Sequence, residues 1–169
     1  MSKSASTSIR AALAASVICL SPAAAQEAGK GRVLGEVKFA TSCAPAAQAK
    51  FNLGMAYQHS YWFPAAFETF TEVLKLDATC AMAHWGIALT WLYNPFIPPT
   101  ADRLKQGLAA IDKGLALGPK TARERDYLEA LGTFYRDHDK LDHRSRVLAY
   151  LKAMEQLAGR YPDDREAQI

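Results

Sequence analysis

The residues of this chain best suited to chemistry sit in one short run, Asp137-His138-Asp139-x-x-Asp142-His143, which offers the imidazole nitrogens and carboxylate oxygens that a divalent cation takes. Nothing in the spacing closes these ligands into one geometry, and a polar loop with helix-capping residues has the same composition. Two further imidazoles, His59 and His84, fall at different positions of their helical segments. Asp163-Asp164 pairs two carboxylates where acids favour the positive end of a helix, and Glu124 and Asp126 flank Arg125 on a solvated face. There is no G-x-S-x-G elbow, no glycine loop for phosphate after a strand, and no C-x-x-C or C-x-x-C-H spacing. The sequence therefore reads as a non-enzyme, with no catalytic residue, no metal and no cofactor assigned.

The first 25 residues read as a secretory leader. Lys3 and Arg10 form a basic start, Ala11 to Leu20 an apolar run too short to span a bilayer, and Pro22-Ala23-Ala24-Ala25 a small-residue end with cleavage expected between Ala25 and Gln26. Val17-Ile18 before Cys19 lacks the small residue of a lipid-anchored cysteine. Taking Lys3 and Arg10 from the 20 basic residues leaves 18 against 17 acids, a near-neutral chain with no basic tract, so nucleic acid is a poor partner and no membrane span is expected. The location expected is the periplasm or the exterior. There Cys43 and Cys80 read first as a disulfide, worth roughly 3–4 kcal/mol in the chain-entropy account, with two unrelated thiols or a metal site as the alternatives.

These residues must be positioned by helices. Residues 26–45 form an extended lead-in with alternating Val33, Gly35, Val37 and Phe39, expected to pack on the first helix. From Ala46 the apolar spacing turns helical, and Pro64 suits the first turn of the next helix. Thr79 is the expected N-cap before Ala81, and Thr100 or Asp102 that of the helix after Asn94-Pro95-Phe96-Ile97-Pro98-Pro99, a segment that cannot continue a helix. Tyr61-Trp62-Phe63 and Trp91-Leu92-Tyr93 stand at helix turns, where aromatics anchor a pair by packing or form a platform on the rim.

One pattern recurs three times: Leu53-Gly54-x-x-Tyr57 with Ala66 and Phe70, then Ile87-Ala88-x-x-Trp91, then Leu131-Gly132-x-x-Tyr135. It resembles the tetratricopeptide repeat family, whose 34-residue unit is a helix-turn-helix. The phrases His59-Ser60-Tyr61-Trp62 and Tyr161-Pro162-Asp163-Asp164 resemble those of large exported bacterial members. The resemblance implies an all-α, right-handed superhelical solenoid of antiparallel helix pairs, with repeats at about 46–80, 81–121 and 122–164 and a further helix opening at 165–169. It also implies that the chain is the N-terminal part of a longer protein, and that Cys43 and Cys80, each just before a first helix, are neighbours.

In that family the first helix of each pair lines the concave face. Carried over, repeat one presents Gln48, Phe51, Met55, Gln58 and His59, and repeat two presents Met82, Trp85, Leu89, Leu92 and Tyr93. Repeat three presents Asp126, Glu129, Thr133, Arg136 and Asp137, polar where the others are apolar. The expected function is that of an exported scaffold or adaptor gripping a protein, peptide or helix segment in this groove, with Trp85 and Tyr93 as anchors. The alternative is that Trp85, Leu89 and Leu92 are covered by the lead-in or by later repeats of the same chain. A metal- or small-ligand-binding enzyme completed by residues beyond 169 is the alternative function.

Overall fold

Proline and short polar side chains set the helix ends. In the computed structural model, which describes residues 34–168, Pro45 and Pro64 sit in the first turns of α1 (Pro45–His59) and α2 (Phe63–Leu76), where a missing N–H costs nothing. Then come α3 (Ala81–Leu92), α4 (Ala101–Ala116), α5 (Ala122–Tyr135) and α6 (His143–Arg160), with a 3-10 turn over Arg165–Gln168. The described residues contain no strand, and the fold is all-α. The expected leader at 1–25, Cys19 within it, residues 26–33 of the lead-in and Ile169 lie outside the described residues.

Three helix starts carry a side-chain cap, Thr100 at an expected position. Thr100 accepts from the Arg103 amide at 3.4 Å, Thr121 from that of Glu124 at 3.1 Å, and Asp142 from that of Ser145 at 2.9 Å. Thr121 starts α5 at Ala122, three residues before Arg125, where the repeat register begins the third unit. Thr79 does not cap α3. The N-cap position is Cys80, and Thr79 gives its amide and hydroxyl to Asp77 at 2.9 and 2.7 Å. Asp77 in turn accepts from the Ala44 amide at 2.7 Å, tying the α2–α3 turn to the start of α1. Beside that tie, Cys43 and Cys80 are joined in a disulfide, with Cα atoms 4.8 Å apart.

Each helix packs on the next in sequence, and α1, α3 and α5 also lie side by side. The middle helix, α3, is enclosed on nearly all sides, with Met82, Ala83, Trp85, Gly86 and Ala88 among its buried residues. Close approach explains Gly54 of the recurring pattern and Gly86 of α3. A Cβ at Gly54 or Gly86 would lie 2.7 or 2.6 Å from the Phe70 ring, so that ring is wedged between α1 and α3. In the next pair the buried Tyr135 hydroxyl donates to the Ala88 carbonyl at 2.6 Å, with Gly107 making room for its ring.

The three non-glycine residues of positive φ among those described, Tyr61 (57°), Tyr93 (58°) and Asp137 (53°), each follow the end of a first helix. Such backbone costs about 1–2 kcal/mol per residue and is held here by side chains. The Tyr61 and Tyr93 rings pack on Phe63 at 6.0 and 5.0 Å, Arg103 covers Tyr93 at 3.8 Å, and Asp137 pairs with Lys140 at 2.8 Å. Among the described residues no helix is long and apolar enough to cross a membrane.

Candidate functional site

The face made by α1, α3 and α5 carries the lead-in. Phe39 drops its ring into an aromatic box, stacked at 5.6 Å on both Phe51 and Trp85, edge-on to Tyr127 at 5.3 Å, with the Arg123 guanidinium 4.4 Å above it. Its flanking backbone is held by helix side chains. The Gln48 amide donates to the Phe39 carbonyl at 2.8 Å, and its oxygen accepts from the Thr41 amide and hydroxyl, both at 2.9 Å. Asn52 accepts from the Phe39 amide at 3.4 Å, and Arg123 donates to the Ala40 carbonyl at 2.9 Å. Glu124 accepts from the Ser42 amide and hydroxyl at 2.5 and 2.6 Å, and Lys120 reaches the Ser42 carbonyl at 3.3 Å.

A second segment, Tyr161 to Glu166, borders the same face. Asp164 accepts from Arg123 at 2.6 Å and from the Tyr127 hydroxyl at 2.8 Å. Burial pushes the Asp164 carboxyl up, but those two donors outweigh it and leave it below the usual carboxylate range, while burial and the Asp164 bond push the Tyr127 phenol well up. Tyr161 donates to Asp126 at 2.8 Å. His59, at the end of α1, pairs with Glu166 at 3.1 Å, and that hydrogen bond raises the imidazole above its ordinary value against the opposing effect of burial.

Between the first-helix face, the proline turn and α6, with Glu166 at its edge, lies a cavity of about 390 Å3. Of the ten expected groove residues, Gln58, His59, Trp85, Leu89, Leu92 and Tyr93 border it. Phe51, Met55 and Met82 do not: they are fully buried beneath the face, Phe51 under the ring of Phe39. Arg136 lies outside the cavity, paired with Glu129 at 2.8 Å. Trp85 Nε1, Gln58 Oε1 and His143 Nδ1 are buried without a hydrogen-bond partner among the described residues, and all three residues border the cavity. Two of the three acids of the His138 run are engaged, Asp137 with Lys140 and Asp142 in the α6 cap. Among the described residues no three His, Cys, Asp or Glu side chains gather as a metal set.

Sequence reasoning missed Asn52, Arg123 and Glu124 as holders of the lead-in. The available signal was weak: Gln48 and Asn52 are four apart beside buried Phe51 and Met55, polar residues on the covered side of a helix.

Fold and face together define a class, an all-α protein of packed helix hairpins whose first-helix face holds a non-helical segment of its own chain. Comparison with protein-family models, with curated proteins and with solved structures finds no match to this chain.

Proposed function

We propose that this protein is an exported scaffold or adaptor built as a tetratricopeptide-like solenoid, and that it binds a partner polypeptide on the α1–α3–α5 face. The observation that carries the reading is the grip on Phe39–Ser42: a non-helical backbone is held by side chains of α1 and α5 around one aromatic anchor, the chemistry of a peptide-binding groove. The adjoining cavity supplies the open part of the face, with Leu89, Leu92 and Tyr93 for an apolar side chain of the partner. The recurring helix-pair anchors and the packing of each helix on the next support the solenoid. The disulfide and the leader reading of the sequence support export to an oxidising compartment.

A second reading, a small ligand in the same cavity, is favoured by the unpartnered Trp85 Nε1, Gln58 Oε1 and His143 Nδ1, since a buried polar group without a partner costs about 1–3 kcal/mol. Panning a random peptide library on the oxidised protein, beside folded Leu92→Asp and Tyr93→Ala variants, tests the first reading. Selected peptides that bind the parent and lose about tenfold or more on either variant support it. Peptides that bind all three alike, or none selected, count against it.

A further inference from the structure

Among the described residues four buried side-chain polar atoms have no hydrogen-bond partner, and three of them belong to residues bordering the cavity of about 390 Å3. These three, Gln58 Oε1, Trp85 Nε1 and His143 Nδ1, come from α1, α3 and α6, so the packing of the fold brings them together. Native structures leave few such atoms unmet, and their convergence on one aromatic cavity marks a place for a ligand. Their roles differ. An indole N–H only donates, an amide oxygen only accepts, and an imidazole nitrogen does either according to its tautomer. The Gln58 amide nitrogen donates to the Leu89 carbonyl at 3.5 Å, which sets that amide against α3 one turn along from Trp85. A donor and an acceptor on neighbouring atoms of one ligand serve both.

The wall sets the rest of the class. The rings of Phe63, Trp85, Tyr93, Phe134 and Tyr150 favour a flat apolar body. No lysine, arginine or aspartate borders the cavity, and the acid at its edge, Glu166, already pairs with His59 at 3.1 Å. An ionised ligand would give up its hydration for no opposite charge. A quaternary ammonium suits aromatic walls but has neither donor nor acceptor, and it leaves Trp85 Nε1 and Gln58 Oε1 unmet. A sugar brings more hydroxyls than such a wall answers. Buried water takes about two to four polar partners per molecule, so three atoms set in an aromatic wall hold little of it. Resting on the small-ligand reading above, we infer that the cavity binds a neutral, planar aromatic compound carrying an N–H beside a carbonyl, a lactam or aromatic amide. Its carbonyl accepts from Trp85 Nε1 and its N–H donates to Gln58 Oε1. His143, in either tautomer, answers a further polar atom of the ligand.

The test titrates the oxidised full chain with carbostyril, a neutral bicyclic lactam, and follows the indole N–H signals by proton–nitrogen correlation spectra. The chain has three tryptophans, and Trp62 and Trp91 do not border the cavity, so their signals serve as internal controls. Carbostyril should move the Trp85 signal, identified by its loss in Trp85→Phe, and leave the other two in place. It should bind about tenfold or more tighter than its O-methyl ether, which keeps both rings and has no N–H. It should exceed naphthoate and phenyltrimethylammonium by as much. Gln58→Met should abolish the preference over the ether, because the acceptor for the N–H is gone. A Trp85 signal that stays still while carbostyril binds, or a preference that survives Gln58→Met, overturns the inference. Should Trp85→Phe fail to fold, sequential assignment identifies the signal, and the Gln58→Met comparison still decides. Ether or ions bound as tightly as the lactam would leave the small-ligand reading standing and this class fallen. None of the four compounds bound at millimolar concentration would remove both.

Discussion

Glu124 of α5 receives both the amide and the hydroxyl of Ser42, 82 positions earlier in the chain, one on each carboxylate oxygen. The carboxylate is almost wholly buried, so this pair is a main tie between the lead-in and the third helix pair. Glu124→Ala leaves a buried N–H and O–H without acceptors and should cost about 1–3 kcal/mol. Glu124→Gln keeps an acceptor for the amide and should cost clearly less. Urea unfolding with linear extrapolation measures both, and equal losses would speak against the double bond to Ser42.

Phe39 is the keystone of the aromatic box, and its removal empties space bounded by Phe51, Trp85 and Tyr127. Phe39→Ala should destabilise by about 3–5 kcal/mol, the range for a large buried ring. Trp85, stripped of its stacking partner, should shift the native fluorescence to the red. A loss under about 1 kcal/mol would mean that the ring does not occupy the box.

The Phe70 ring has Gly54 on one side and Gly86 on the other. Gly86→Ala should therefore cost about 1–3 kcal/mol by overpacking. In a Phe70→Leu background the same change should cost much less, because the two sites share one space. Additive losses in the double variant would contradict the wedge.

His59 ties α1 to the C-terminal turn through Glu166, and its folded value is raised above the ordinary 6.5. A raised imidazole contributes stability that is fully present below 6.5 and is lost as pH rises through the folded value. Hydrogen exchange at Glu166 and Ala167 should therefore speed up as pH rises from 6.5 beyond the intrinsic rate increase, and His59→Gln should abolish that excess. The imidazole is 37% exposed, so the effect on global stability is small. An unchanged pH profile in His59→Gln would dismiss the tie.

Much of this fold was legible because its signals are local. Proline and Thr or Asp caps mark helix starts within a few residues, and the spacing of Gly54, Tyr57 and Phe70 marks a helix pair. The Cys43–Cys80 bridge was legible from the cysteine count together with the leader reading of the sequence. The α3 cap was misplaced because Thr79 has a nearer acceptor, Asp77, than the helix amides. The candidate face was legible only in part. Trp85, Leu89, Leu92 and Tyr93 border the cavity, but Phe51, Met55 and Met82 are buried beneath the face. What covers Phe51 comes from residue 39, and what holds residue 39 comes from residues 48, 52, 123 and 124. Contacts between an irregular segment and helices up to 83 positions away leave no periodic trace in a single sequence.

The bridge between Cys43 and Cys80 also has a topological effect, because the first helix pair lies wholly between its two ends. α1 and α2 belong to a closed covalent ring. A protease cutting once at the exposed Tyr61–Trp62 corner would open that ring into a linear branch without releasing a fragment, and the halves would separate only after reduction.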